Sequence, residues 1–508
     1  MNIVNVVNFI RSEEEYRVKK EDLVEVVKKQ MEIAEKYKFP VTFLFQHDAL
    51  TKKEWVNLVK PYEYIEIGLW LELNRSLIER AGCEWKGDKN RTWEYYSHID
   101  LTCGYKPDER IRIIDIAMND FKDVFGYYPK TVGSWIIDSV SLAHLEKYGV
   151  EASLNCKDQW LTDGYSLWGG YYNQAYYPCR NNMFSPAQSP KEQINIPVFR
   201  MLGSDPIRQY DFGLIGSNNG QGVVTLECYL PPTTNSSLGG SNKEWVKWFF
   251  EQMKKYPSLS FGYAQAGQEN AFNWAGQGEG YTMQMNYLNE LNKNGTIKLL
   301  KVSDAGKWFK KQYNETPVST IEAETDDKEH GFWYCSKYYR TFIYTDKNIA
   351  RIKDITIFDD NYKERYLNDN CKGSDCFYDN LPLVDSFRWG NQEDGFPSGL
   401  AFFKNNNLLN GVSTIESKKI DEKTVNLTIT INNEKVLLTL YEDSITINGS
   451  DLKWLFGNNT KSKITFNQDD ILLEYNNFRR RIPYEGIYDS NNNKLTRKSN
   501  CIKIFFNK

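Results

Sequence analysis

The acids suited to paired chemistry stand at the ends of apolar runs. Asp138 closes TVGSWIID (131–138), where the β-branched pairs Thr131-Val132 and Ile136-Ile137 predict a short buried strand. Ser139 to Tyr148 then carries Leu142 and Leu145 at helical spacing. A carboxylate between the carboxyl end of a parallel strand and the start of a helix is where α/β proteins place chemistry. The same position also suits a plain helix cap, its oxygen accepting a backbone N–H. Glu227 lies in TLECY between apolar Leu226 and Cys228, and Glu269 follows LSFGYAQ in AGQENAFNW. A retaining glycosidase needs two carboxyls of unlike pKa, about 5–5.5 Å apart, one to attack and one to donate a proton. A helix amino terminus beneath Asp138 would favour its ionised form, and Glu227's apolar neighbours would favour the protonated one. The plainer role for Glu227 is an ion pair with Arg200 or Arg208. His47 and Asp48 end VTFLFQHD and are expected to bind sugar hydroxyls. A divalent metal there is the alternative, and no cofactor is expected.

The elements that must carry these residues alternate between strand and helix. Residues 2–10 predict a first strand leading to Arg11, residues 21–37 an amphipathic helix, and residues 41–50 a second strand. In the third, YIEIGLWLEL (64–73), Ile65, Ile67, Leu69 and Leu71 share one face while Glu66, Gly68, Trp70 and Glu72 share the other. Two glutamates are costly under a covering helix, whereas a barrel interior near its mouth can use them. A helix over 108–125, a fifth strand at 150–156, a sixth at 193–199, a seventh at 222–230 and one more at 259–265 complete seven or eight βα units. The loop 157–182 holds Trp160, Tyr165, Trp168, Tyr171, Tyr172, Tyr176 and Tyr177 among glycines and amides. Such rings suit a polyhydroxylated ligand, or they pack on each other as a lid. Beyond Thr316-Pro317 helical stripes give way to short alternating runs, clearest in KTVNLTITINNEKVLLTLY, which predict an antiparallel β-sandwich.

At 508 residues the chain exceeds what one core usually serves, so two domains are expected: a barrel over 1–316 and a sandwich over 317–508. The formal charge of −4 offers no basic surplus for nucleic acid, and no apolar run is long enough to span a membrane. The amino terminus lacks a basic region and cleavage pattern, which points to the cytoplasm, with a secreted mature form as the alternative. Nine scattered cysteines include no CxxC; Cys371 and Cys376 could close a small loop, but free thiols are expected.

Taken together, Gly133-x-Trp135-x-x-Asp138 resembles the G-x-W-x-x-E motif of glycoside hydrolase family 57, the amylase and glucanotransferase group. The neighbouring family 38 α-mannosidases use an aspartate as nucleophile. Both families, and more distantly the polysaccharide deacetylases, have a (β/α)7-type barrel. The resemblance implies an α/β barrel of that type followed by β domains, Asp138 as nucleophile, and Glu227 or Glu269 as acid/base. Glu66-x-Gly68-x-x-x-Glu72 is similar to the family's third-strand glycine and glutamate. The first strand ends in NFIR, where family 57 has a histidine motif and family 38 a His-x-Asp metal pair. The function implied is a retaining glycoside hydrolase or transglycosidase acting on an oligosaccharide or glycoside. Arg11, His47, Asp48, Trp70, Glu72, Trp135, Trp168, Arg200 and Asp205 are the expected substrate contacts. A metal-dependent carbohydrate deacetylase is one alternative; none of the four histidines shows the HxxH or HxxxH spacing it uses. A non-catalytic carbohydrate-binding protein is the other.

Overall fold

The computed structural model describes residues 1–13, 19–155, 171–207, 224–229, 239–378, 381–386, 399–455 and 462–507. The first sheet has nine strands among the described residues, two of them only two residues long, and its frame is seven parallel strands: β1 (Asn2–Ile10), β2 (Val41–Gln46), β3 (Ile65–Trp70), β4 (Thr131–Ser134), β5 (Ala152–Asn155), β6 (Val198–Arg200) and β7 (Gly262–Ala266). Their spatial order is β7-β1-β2-β3-β4-β5-β6, so the sheet curls until its last strand approaches its first. Among the described residues β6 and β7 share no ladder. They are joined where Gln265 accepts from Leu202 N at its side-chain oxygen (2.7 Å) and from Gly203 N at its carbonyl (3.1 Å). This is a nearly closed barrel.

Strand alternation sorts its residues into two cores. Val7, Phe9, Leu44, Trp70, Leu154, Phe199 and Tyr263 pack inside the barrel. Val4, Val6, Phe43, Phe45, Ile67 and Leu69 face outward, against helices that include α1 (Lys20–Tyr37), α2 (Pro107–Phe125) and α3 (Ser139–Leu145). The inward face of β3 is as its sequence predicts. At the bottom Glu66 accepts from Thr42 Oγ1 (3.1 Å), Thr131 Oγ1 (2.7 Å) and Ser303 N (3.1 Å). Ser303 opens the helix Val302–Gln312, so this carboxylate meets the positive end of a helix that plugs the barrel. Gly68 comes next, where an added Cβ would lie 2.6 Å from the Thr131 carbonyl oxygen, a backbone contact that cannot give way, so glycine is required.

The expected strand at 222–230 is a correction. In its described part, 224–229, only Thr225 pairs, through a single bridge to Ser204. Glycine and the β-branched pair Val223-Val224 gave a strand-like pattern, but the partner chain follows it only through Asp205, whose N–H meets Val224 O, before turning at Ile207.

From Ser319 onward the chain is antiparallel β, in one ten-stranded and one eight-stranded sheet. Phe332, Ile343 and Leu400 of the first meet Leu427, Ile429, Leu438 and Ile502 of the second in one core, which is a sandwich. The hairpin Val425–Ile431 to Glu434–Leu440 turns through Asn432 in the left-handed region (φ 52°), with Val425, Leu427, Ile429 and Ile431 buried.

Candidate active site

Three strands deliver polar residues to the carboxyl-end mouth of the barrel. Arg11 follows β1 on the inward parity of Val7 and Phe9; Glu72 follows β3 on the parity of Trp70; Glu269 follows β7. The Arg11 guanidinium grips Glu72 with two parallel bonds, Nε to Oε2 at 2.9 Å and Nη2 to Oε1 at 2.8 Å. Its remaining nitrogen, Nη1, pairs with Glu269 Oε2 at 2.7 Å. Trp135 Nε1 also donates to Glu72 Oε1. The guanidinium lies 4.9 Å from the centre of the Trp93 ring, and Phe9, Trp70 and Trp135 pack together at tilted and edge-to-face angles. Arg11, Glu72 and Glu269 are all buried.

A fourth group belongs to this set and carried no expectation from sequence. Asp100, in the one-turn helix Ser97–Asp100, is buried and close enough to Glu72 and Arg11 to feel both charges. Burial first, and then the Glu72 charge, raise its pKa well above the carboxyl range, against the opposing pull of Arg11. The shift is toward the protonated form. Its Oδ1 has no hydrogen-bond partner, nor do both polar atoms of Gln46 or the indole nitrogens of Trp70 and Trp93. Gln46 stands beside Trp70 in register and shares the inward parity of Leu44, so its amide is aimed at the same space. Buried polar groups are nearly always satisfied, and four such residues around one point mark a place that can receive a polar ligand.

Glu227 reaches the edge of this group. Half-buried, it accepts from Gln268 Nε2 at 3.2 Å, one residue before Glu269.

The other expected residues lie elsewhere. Asp138 is fully buried, and its two oxygens take four donors: Ser141 N (2.9 Å), Ser141 Oγ (2.6 Å), Thr102 Oγ1 (2.6 Å) and Arg110 Nη1 (3.0 Å). A nucleophile needs an oxygen facing its substrate, and Asp138 has none to spare. It is the N-cap of α3, as the plainer reading had it. The strand ends at Gln46, and His47 opens the one-turn helix His47–Leu50, where it faces α2 rather than the mouth. Its Nε2 meets Asp120 Oδ2 at 2.7 Å and its Nδ1 meets Asn74 Nδ2 at 3.2 Å. Asp48 instead accepts from Ser12 Oγ (2.5 Å) and Ala49 N (2.6 Å). This pair does not fit a shared metal ion, and among the described residues no cluster of three His, Cys, Asp or Glu side chains does. Asp205 caps its own turn at Ile207 N (2.9 Å) and accepts from Trp245 Nε1 (3.0 Å). Arg200 shares the parity of Val198 in the outer core, opposite the inward Phe199. Trp168, Trp160 and Tyr165 lie outside the described residues. The described tyrosines of that loop are core groups: Tyr172 stacks on Trp333 at 4.3 Å, and Tyr171, Tyr176 and Tyr177 direct their hydroxyls to backbone carbonyls.

No protein-family model matches the sequence, and no curated protein matches it in sequence. Among solved structures, a Parabacteroides distasonis protein described as a glycoside hydrolase/deacetylase superposes with a TM-score of 0.52 at 15% identity, over 73% of this chain and 88% of that one. A polysaccharide deacetylase from Mycobacterium smegmatis (TM-score 0.35, 11% identity, 61% of this chain and 90% of that one) and the 4-alpha-glucanotransferase of Thermococcus litoralis (TM-score 0.32, 10% identity, 100% and 97%) also align. The first of these shares the fold: a nearly closed α/β barrel with further antiparallel sheets.

Proposed function

We propose that this chain is a carbohydrate-active hydrolase, a glycosidase or transglycosidase, whose reaction takes place at the barrel mouth around Arg11. One observation carries the reading: an acid with a raised pKa, Asp100, stands beside carboxylates ion-paired to a single guanidinium. Glycoside cleavage asks for one carboxyl that gives a proton and one that attacks or activates water. Asp100 is suited to the first role. Glu269 is suited to the second, its carboxylate standing at the mouth beside Arg11 Nη1. Glu72 then orients Arg11 and Trp135, and Glu227 with Gln268 lines the approach. The unpartnered amide of Gln46 and the Trp70 indole offer hydrogen bonds to sugar hydroxyls, and the Trp135 ring offers a face to stack on.

A panel of aryl glycosides, with and without EDTA, tests this. Turnover that survives EDTA and is lost in both Asp100→Asn and Glu269→Gln, with the fold intact by circular dichroism, is the expected result. Unchanged rates in both variants overturn the assignment, and sugar binding with no turnover by the unaltered protein replaces it with a binding role.

A further inference from the structure

The segment that carries Asp100 is gripped by a strap from the sandwich domain. The strap, residues 358–378, runs between the strands Ala350–Ile357 and Leu381–Asp385 and crosses onto the barrel. Glu364 accepts the N–H groups of Ser139 and Met183, both at 3.0 Å. Arg110 donates to the carbonyls of Tyr366 (2.8 Å) and Asp369 (2.5 Å), and Asn370 donates to that of Gly104 (3.1 Å). Ser97 N donates to Ser374 O at 2.8 Å, and Cys376 N to Ser97 Oγ at 3.1 Å.

Three thiols meet at this crossing. Cys103, Cys371 and Cys376 belong to one buried cluster, and all three are unbridged. Cys371 N also donates to Cys103 O at 2.7 Å. A direct backbone bond of that kind brings two Cα atoms to roughly 5–6 Å, the separation at which disulfides form. We propose that Cys103 and Cys371 are an oxidation site, closing into a disulfide that ties the sandwich strap to the barrel segment bearing Asp100.

The two partners differ in a way that assigns their parts. The neighbouring Cys103 side chain is the foremost influence that lowers the Cys371 thiol from its ordinary pKa, whereas burial foremost pushes Cys103 up. Cys371 is therefore the sulfur that attacks. With hydrogen peroxide as oxidant, the Cys371 thiolate takes one peroxide oxygen and releases hydroxide, giving a sulfenic acid. The Cys103 sulfur, deprotonated by that hydroxide, displaces the remaining oxygen. Two thiols and one peroxide become one disulfide and two waters, with two electrons passing from sulfur to oxygen. The crosslink spans sequence positions far apart and bypasses Cys376, against the small-loop pairing of Cys371 and Cys376 that spacing alone suggests.

Peroxide treatment of the full-length protein, alkylation in denaturant and peptide mapping without reduction test the proposal. The expected product links the peptides of Cys103 and Cys371, persists in Cys376→Ser, vanishes in Cys371→Ser, and raises Tm by roughly 5 °C over the reduced protein. Full alkylation of all three cysteines, or a Cys371–Cys376 link in the unaltered protein, overturns it. Mapping is indifferent to whether Asp100 acts in catalysis, so this outcome and that of the glycoside panel are read separately.

Discussion

Two carboxylate clusters lie close in the fold and do opposite things with their hydrogen bonds. Around Asp138 every oxygen is taken, the partner Arg110 is fully buried, and the remaining guanidinium donors end on the carbonyls of Tyr105, Tyr366 and Asp369. Around Arg11 the ion pairs are equally short, yet Asp100, Gln46, Trp70 and Trp93 keep polar atoms unpartnered in the interior. A closed cluster fixes two domains together. An open one bears an energetic cost that a bound polar ligand would remove. The lesson is that a buried acid at a strand end says little until its partners are counted.

The largest effect expected is on turnover at the open cluster. Asp100→Asn and Glu269→Gln each lower kcat roughly 10²–10⁴-fold, the range for losing a proton-transfer group. Asp100→Asn leaves Tm unchanged or slightly higher, because asparagine replaces a carboxyl already shifted toward its neutral form. A large drop in Tm without loss of rate would make Asp100 structural and erase the contrast.

Asp138→Asn should behave the other way. Asparagine keeps the helix cap but leaves Arg110 charged and without its buried counter-ion, which costs about 3–5 kcal/mol of stability. Chemical denaturation measures this, while kcat per folded molecule stays at the unaltered value. A selective loss of kcat at unchanged stability would return Asp138 to the nucleophile's role.

Much of this division was legible in the chain, and the part that was not has identifiable causes. The residues 2–10, 41–46 and 65–70 are long apolar runs whose covered faces leave no choice but strand, and the alternation of Glu66, Gly68, Trp70 and Glu72 marked an interior. Applied to Val41–Gln46, the same two-residue period points Gln46 inward, a signal present in the chain, whereas His47 lies past the strand's end in a one-turn helix. Asp100 had none: it lies in a short polar turn, SHID, within the long connection 74–130, and only tertiary contact brings it to Glu72. The saturation of Asp138 depends on Thr102 and Arg110, each far away in sequence, so local pattern could not separate cap from catalyst.

A smaller effect sharpens the contrast within the open cluster. Trp135→Phe removes one of three donors to Glu72 and keeps the ring, so kcat falls about tenfold, near the worth of one hydrogen bond to a charged group. Glu72→Gln disturbs the Arg11 grip itself and should cost more; an unchanged kcat in Trp135→Phe would mean that Trp135 acts only by stacking.

The smallest effect concerns a third, half-open cluster, where pH can be the probe. Burial alone would raise Asp120, but hydrogen bonds from His47 and Arg80 outweigh it and bring its pKa down to about 2. A carboxyl depressed on folding contributes stability that is complete above its unfolded value near 3.8 and disappears as pH falls toward 2. Because Asp120 keeps contact with water, screening holds that contribution to about 1 kcal/mol. Urea denaturation of the unaltered protein and of Asp120→Asn should therefore differ by that amount at pH 6 and converge between pH 4 and pH 2. A difference that stays constant down to pH 2 would mean that His47 and Arg80 act on Asp120 through packing alone. His47 would then be freer to turn toward the mouth than its two hydrogen bonds imply.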